Sequence, residues 1–235
     1  MKLVPTLLAA SALCLGLNAS AQDSTIRKTL AERIPQLQQI DEVRPTPMTN
    51  LYEVRIGDEL LYTDAEGNFL IQGKLLDTKA QKNLTDERLS KITAIDFKSL
   101  PTKNAITIKR GNGKRQMAVF ADPNCGYCKR FEVDIEKLKD VTVHVYLIPI
   151  LGQDSVTKTR NIWCAKDKAK TWSDWMIKGV TPPEASCNTS AIDANLALAQ
   201  KHRITGTPTV VFESGQRVPG AIPSAQVEQL LSDAR

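Results

Sequence analysis

Two cysteines separated by two residues, Cys125 and Cys128, lie where an apolar run typical of a strand passes into a segment typical of a helix. A thiol at the start of a helix faces unpaired backbone N–H groups and the positive end of the helix dipole. Both favour the thiolate, which is the reactive form. The second sulfur, about one turn further on, can reach the first. We therefore predict that Cys125 is the exposed attacking sulfur and Cys128 the more buried resolving one.

The same cysteine spacing also occurs in zinc sites, haem sites and structural disulfides. Zinc needs four ligands, usually two such pairs or one pair plus histidine. The other candidate ligands are widely spaced in the sequence: Cys164, Cys187, His144 and His202. Covalent haem needs a histidine after the second cysteine, where this chain has Lys129, so haem is excluded. We expect no metal and no cofactor, with zinc and an inert disulfide as the weaker alternatives.

The N-terminus has the pattern of a secretory signal peptide. A positively charged start precedes an apolar run over 3–17 and a cleavage pattern of small residues. We predict cleavage near Ala21 and Gln22, so that residues 1–21 are removed, with an uncleaved anchor as the alternative. Cys14 leaves with this segment, and the four cysteines that remain predict disulfides in an exported protein.

Composition sets the remaining limits. The chain has 235 residues, of which 42% are hydrophobic and 24% charged, so it can bury a core without many disulfides. This balance excludes a disordered chain, collagen and a coiled-coil rod. The formal charge of +5 is not gathered into a basic stripe with aromatic residues, so we expect no nucleic-acid partner.

The stretch after the signal peptide predicts a small α+β unit. Residues 24–34 carry apolar side chains every four positions, which is typical of an amphipathic helix capped by Ser24 or Thr25. We predict an extended linker at 44–47 and, from the period-two alternation over 51–74, an antiparallel meander of about three strands. A unit this small buries little surface alone, so we expect a second copy of the chain to cover it.

A helix predicted from Asn83 to about Ser99 leads into a second part with an α/β pattern, which begins near Ala105. The apolar run over 141–150 is typical of a strand buried on both faces. The order of the elements predicts a mixed sheet with helices packed against it. The other expected strands and helices are strands at 106–108, 117–120, 208–212 and 217–218, and helices at 128–139, 154–178, 191–202 and 223–231.

Gly206-Thr207-Pro208 precedes one of the last strands. A proline at the start of a strand, preceded by threonine, suits a cis peptide that approaches another loop closely. An ordinary trans proline at a sheet edge is the alternative. The cysteine pair upstream in the same α/β pattern favours the cis interpretation.

With these motifs in place, the sequence resembles the thioredoxin superfamily and, within it, the DsbC/DsbG family of periplasmic disulfide isomerases. The resemblance extends over the whole mature chain. Gly126 and Tyr127 between the cysteines are typical of the isomerase branch, whereas the DsbG branch typically has Pro-Tyr there. The matching stretches are 120–128, 162–168, 185–187, 206–208 and 217–220.

The resemblance implies a fold and a set of site residues. It places the redox-active pair on Cys125 and Cys128 and the substrate-binding cis-proline loop on Thr207 and Pro208. The implied structural disulfide joins two further cysteines, Cys164 and Cys187; two free buried thiols are the alternative. The implied domains are a helix-plus-meander dimerisation domain at 22–82, a linker helix at 83–103 and a thioredoxin fold with a helical insertion at 104–235.

The resemblance also implies a function and partners. Such proteins are periplasmic homodimers that hold misfolded exported proteins in an apolar cleft and rearrange their incorrect disulfides. A membrane reductase of the DsbD type keeps them reduced. The alternatives are a sulfenic-acid reductase with chaperone activity, a dithiol oxidase, and a chaperone without redox chemistry.

One position departs from the thioredoxins themselves. They have a buried acid six residues before the first active-site cysteine, where this chain has Val119. Asp122 is the nearest carboxylate in the sequence, and its role is open. The proton acceptor for Cys128 therefore also stays open.

Overall fold

A computed structural model describes residues 14–233 and divides the chain into two compact units that meet in sequence between Ile92 and Thr93. The predicted signal peptide, 1–21, lies mostly outside the described residues. No helix within 14–233 is both long and apolar enough to cross a bilayer.

The first unit packs a helix against an antiparallel sheet. Strands β1 to β4 pair in chain order, and β5 and β6 form a separate hairpin. Ile26 and Leu30 of the helix are buried against Val54 and Leu61 of the sheet, as the four-residue spacing predicts. The elements are α1 Cys14–Arg33, β1 Glu42–Pro45, β2 Tyr52–Ile56, β3 Glu59–Thr63, β4 Leu70–Ile71, β5 Leu76–Asp77, β6 Lys82–Asn83 and α2 Leu84–Ile92.

Two local predictions for this unit are wrong. Ser24 and Thr25 do not cap α1, because both hydroxyls donate to the carbonyl of Ala21 at 2.9 Å from inside a helix that is already formed. The predicted linker at 44–47 begins within β1, which pairs only with β2. Since β1 is an edge strand, Pro45 needs no partner for the N–H group that it lacks.

The helix predicted to continue to about Ser99 ends at Ile92. The chain beyond it joins the second unit, where Ile95 is buried and donates its N–H to the carbonyl of Gly215 at 2.9 Å. Asp96 then caps a short 3₁₀ turn by accepting from the N–H of Lys98. These contacts occupy the backbone groups that a longer helix would need.

The second unit is a five-stranded mixed sheet with helices on both faces, which confirms the predicted fold class. The strand order is β11-β10-β8-β9-β7, with β8 and β9 parallel and the other pairs antiparallel. Its elements are β7 Ile106–Arg110, β8 Arg115–Ala121, α3 Gly126–Ile135, β9 Val141–Leu147, α4 Gln153–Trp163, α5 Lys168–Lys178, α6 Ser190–Lys201, β10 Thr209–Phe212, β11 Arg217–Pro219 and α7 Ser224–Asp233.

One predicted helix in this unit is two. The segment expected to be helical over 154–178 breaks between α4 and α5. Asp167 starts the second helix by accepting from the N–H of Lys170 at 2.9 Å, so the chain must leave the first helix beforehand.

The sheet is buried on both sides. Along β8, Met117 and Val119 face one apolar cluster, while Ala118 and Phe120 face another on the opposite side. All seven residues of β9 are buried, which confirms that strand as one covered on both faces.

This topology brings three chain segments to one edge of the sheet. The carboxyl ends of the parallel strands β8 and β9 lie side by side, with Ala121 opposite Leu147. Strand β10 runs the other way along β8, so its first residue, Thr209, lies opposite Phe120. The cysteine motif after β8 and the proline loop before β10 therefore meet at this edge.

Candidate active site

Cys125 caps α3, and the polar groups around it hold its sulfur. Its backbone is extended, with φ −71° and ψ 116°, and its Sγ accepts the N–H of Cys128 at 3.3 Å. The same Sγ donates to the carbonyl oxygen of Thr207 at 3.2 Å. The sulfur therefore lies between the first turn of a helix and the loop before β10.

Both cysteines are free thiols, and both are buried. Cys125 is 5% exposed and Cys128 1% exposed, so the expectation of an exposed attacking sulfur is wrong. The Cys125 sulfur contacts the carbonyl of Thr207, which lies 82 residues further along the chain. The spacing of residues in the sequence does not predict this contact.

The environment of Cys128 keeps it protonated at neutral pH. Burial raises the pKa of this thiol far above its usual value, and hydrogen bonds from the backbone of Asp122 and the side chain of Thr207 oppose that rise only in part. Both sulfurs belong to the same apolar cluster, and they differ in position: Cys125 caps α3, whereas Cys128 lies within its first turn.

The peptide bond between Thr207 and Pro208 is cis, and Pro208 is buried while Thr207 is half-buried. Gly126 and Tyr127, between the two cysteines, are exposed. Arg130 lies over the Tyr127 ring, with its Cζ 4.3 Å from the ring centroid. The structure thus brings the predicted motif and the predicted loop together around one sulfur.

Trp175 supports the turn before the cysteines, a role that no motif or spacing in the sequence predicts. Its Nε1 donates to the carbonyl of Pro123 at 2.6 Å, across 52 residues of sequence. The ammonium groups of Lys129 and Lys158 lie 3.9 and 4.9 Å from its ring centroid. A cation over an aromatic face is attracted to it, so two positive charges are held near the dithiol.

Cys164 and Cys187 form a disulfide, with an S–S distance of 2.08 Å. It joins the break after α4 to the segment before α6. Beside it, Trp163 donates its Nε1 to the carbonyl of Asn188 at 3.2 Å. Over residues 14–233 no three His, Cys, Asp or Glu side chains come together as ligands of a metal ion.

A free dithiol at the start of the helix that follows an inner strand, facing a cis-proline loop, defines a class: the thiol–disulfide proteins of the thioredoxin fold. Two family models match the chain within that class. A thioredoxin-like domain matches residues 102–235, and a disulfide bond isomerase protein N-terminal domain matches residues 17–86.

Individual relatives narrow the class to one family. The probable thiol:disulfide interchange protein DsbC of Bordetella pertussis is 42% identical over 210 residues, covering 89% of this chain and 74% of the relative. The thiol:disulfide interchange protein DsbC of Escherichia coli K12 is 32% identical over 226 residues, covering 92% and 89%. The chain belongs to the DsbC family.

A solved structure agrees with this assignment. A disulfide interchange protein from Neisseria gonorrhoeae is 38% identical, with a TM-score of 0.55. The match covers 57% of this chain and 98% of that one.

Proposed function

We propose that this protein is a periplasmic disulfide isomerase that rearranges incorrect disulfides in exported proteins through Cys125. The observation that carries the proposal is the free sulfur of Cys125 at the start of α3, held between the N–H of Cys128 and the carbonyl of Thr207. Membership of the DsbC family supports it.

The reaction is thiol–disulfide exchange. The Cys125 thiolate attacks one sulfur of a substrate disulfide, forming a Cys125–substrate bond, and the other substrate sulfur leaves as a thiolate that takes a proton from solvent. A second substrate thiolate then attacks the bound substrate sulfur. Cys125 leaves as a thiolate, the substrate has a new disulfide, and no electrons are gained or lost overall.

Cys128 offers a second exit from the mixed disulfide. If its thiolate attacks Cys125, the substrate leaves as a dithiol, reduced by two electrons, and a Cys125–Cys128 disulfide remains. Because burial raises the pKa of Cys128, few molecules carry this thiolate at neutral pH. A substrate thiol therefore has time to act first, which favours isomerisation over reduction.

The groups around Cys125 stabilise it as a leaving thiolate and bind the substrate. The helix start and the N–H of Cys128 stabilise Cys125 as a leaving thiolate. The backbone at Thr207 and Pro208 pairs with an extended substrate segment, which requires little of the substrate sequence.

The proposal includes partners for both units. Residues 22–82 form the dimerisation domain, α2 within 83–92 leads to the second unit, and the catalytic domain takes in 93–103 together with the predicted 104–235, because Ile95 and Leu100 belong to its core. Large apolar side chains at Phe69, Ile71 and Leu76 are 73%, 51% and 59% exposed, which supports a surface covered by a second copy. A membrane reductase of the DsbD type returns the Cys125–Cys128 disulfide to the dithiol. Sedimentation as a monomer at micromolar concentration would contradict the dimer.

The decisive experiment is recovery of scrambled ribonuclease with a Cys125→Ser variant, which removes the attacking sulfur. We expect recovery to fall to the uncatalysed rate. A Cys164→Ser/Cys187→Ser variant is the matched control, since it makes the same exchange outside the dithiol and should retain recovery while folded. Full recovery with Cys125→Ser would overturn the proposal.

Thiol trapping in cells separates an isomerase from an oxidase. A mostly reduced Cys125–Cys128 pair beside an oxidised Cys164–Cys187 pair is the result expected of an isomerase. Full oxidation of both pairs would indicate an oxidase instead.

A further inference from the structure

Asp122 has the most completely bonded side chain around the dithiol. Asp122 is fully buried, and each of its two carboxylate oxygens accepts two hydrogen bonds. Oδ1 accepts from the N–H of Asn124 at 2.7 Å and the hydroxyl of Ser155 at 2.8 Å. Oδ2 accepts from the N–H groups of Ile150 and Leu151 at 2.8 and 3.0 Å.

Burying a carboxylate is costly unless its oxygens are hydrogen bonded. The loss of water around a carboxylate is offset only when further hydrogen bonds satisfy its lone pairs. An ionised carboxylate only accepts, so it can satisfy four donors at once, which an amide cannot. The donors on Asp122 come from three segments: the turn that leads to Cys125, the chain directly after β9, and the first turn of α4, which carries Ser155.

On one side, Asp122 holds the dithiol. Its carbonyl accepts the N–H of Cys125 at 3.1 Å. Its backbone also hydrogen bonds to the Cys128 sulfur. A shift of this residue would therefore move both sulfurs.

Through Oδ2, Asp122 also holds the backbone of two residues whose apolar side chains are exposed. Ile150 is 42% exposed and Leu151 56% exposed, although the N–H groups of both are bonded to the buried carboxylate. The two residues follow the carboxyl end of β9, next to the end of β8 from which the dithiol follows. We call Ile150 and Leu151 the apolar ledge.

We propose that Asp122 is a positioning residue that fixes the apolar ledge beside the dithiol, and that the ledge binds an apolar side chain next to the reacting cysteine of an unfolded substrate. The proposal rests on the proposed function. The occupant follows from the chemistry, because a substrate sulfur must come within bonding distance of Cys125. The substrate residues next to that sulfur are then brought to this edge of the sheet. Cysteine and the large apolar residues are the residue types most often buried in folded proteins, so a misfolded chain exposes both kinds of side chain together.

The test compares two peptides with one disulfide each, with leucine or with serine beside the cysteines. For the parent protein we expect a lower KM for the leucine peptide and a similar kcat for both. Ile150→Ser and Leu151→Ser should each reduce this preference several-fold, and together about tenfold, since each removes half-exposed apolar surface from the contact. Val133→Ser is the matched control, because Val133 is an apolar side chain 52% exposed on α3, outside the ledge.

Asp122→Asn tests the positioning role. In place of Oδ2, the amide nitrogen cannot accept from Ile150 and Leu151, so we expect the leucine preference to fall as in the ledge variants. In place of Oδ1 it cannot accept from Asn124 and Ser155, so either orientation of the amide loses two donors. Adding Asp122→Asn to the double ledge variant should change the preference no further, because both changes act through the same surface. A merely destabilising change would lower the amount of folded protein and leave the ratio of the two KM values unchanged.

The outcomes are separable. A parent that exchanges both peptides without preference, or ledge variants that keep the preference, would overturn the inference and leave the isomerase function intact. A parent that exchanges neither peptide would overturn both. If Asp122→Asn does not fold, the ledge variants, which change only exposed side chains, still decide whether the ledge binds substrate.

Discussion

The two cysteine pairs of this chain differ in spacing, surroundings and state. Cys125 and Cys128 are free and buried at the start of a helix. Cys164 and Cys187 are 23 residues apart and joined, and Cys187 is exposed. In the first pair, the sulfur of Cys125 lies at the start of a helix and faces a backbone carbonyl. The second pair closes a long loop.

This difference shows that the backbone around a cysteine determines whether its sulfur forms a structural disulfide or stays a reactive thiol. Closing a long loop removes much freedom from the unfolded chain, so a disulfide there stabilises the fold. Closing a loop of two intervening residues stabilises little, and a nearby helix start favours the reduced thiolate. We therefore expect removal of either pair to damage one property and spare the other.

The largest effect expected on stability comes from the second pair. Cys164→Ala/Cys187→Ala should lower the free energy of unfolding by about 3 kcal/mol on the chain-entropy account. Urea unfolding of the variant and of the parent, with and without reductant, measures it. The parent in reductant should approach the variant, which provides the control. Equal stability of oxidised parent and variant would mean that this disulfide is not a structural one.

The next effect separates the two sulfurs of the first pair. Cys128→Ser leaves the sulfur that we propose attacks the substrate and removes the one that we propose resolves the complex, so mixed disulfides with substrate should accumulate. We expect recovery of scrambled ribonuclease to fall by less than about tenfold, and net reduction of insulin to stop. Non-reducing gels and the two rates provide the measurement. Loss of isomerisation equal to that of Cys125→Ser would show that every turnover passes through Cys128.

The comparison also shows what the sequence could predict. The motif at Cys125, the apolar run of β9 and the strand predicted at 117–120 are local signals, and each appears in the fold at the expected place. The burial of Cys125 and the support from Trp175 depend on segments 82 and 52 residues away, and no spacing rule reports such contacts. Asp122 is recognisable in the sequence as the carboxylate nearest to the dithiol, but three of its four donors lie 28–33 residues away, and no spacing rule predicts those hydrogen bonds.

The smallest expected effect concerns Glu132, which connects the helix of the first cysteine pair to a helix near the second. Glu132 is on α3, one turn beyond Cys128, and accepts the Nε1 of Trp172 on α5, the helix that begins shortly after Cys164. Its Oε2 has no partner among the described residues. Burial raises the pKa of this carboxyl, against smaller opposing effects of Trp172 and Arg110.

The sign of the pH dependence follows from that shift. The folded state holds the Glu132 proton more tightly than the unfolded state, so stability falls as pH rises from the ordinary value of 4.5 through the raised pKa. Glu132→Gln removes this loss and can still accept from Trp172. At pH 7 its Tm should therefore exceed that of the parent by about 2–4 °C, and the two should converge near pH 4.

Thermal unfolding across that pH range, with exposed Glu136→Gln on the same segment as the control, measures the difference. The control should have a Tm close to that of the parent, because substitution of an exposed side chain away from packed contacts changes stability little. A lower Tm for Glu132→Gln at pH 7 would mean that the ionised carboxylate gains more from Arg110 than burial costs it. The helix that carries the reactive pair would then be stabilised by a buried ion pair.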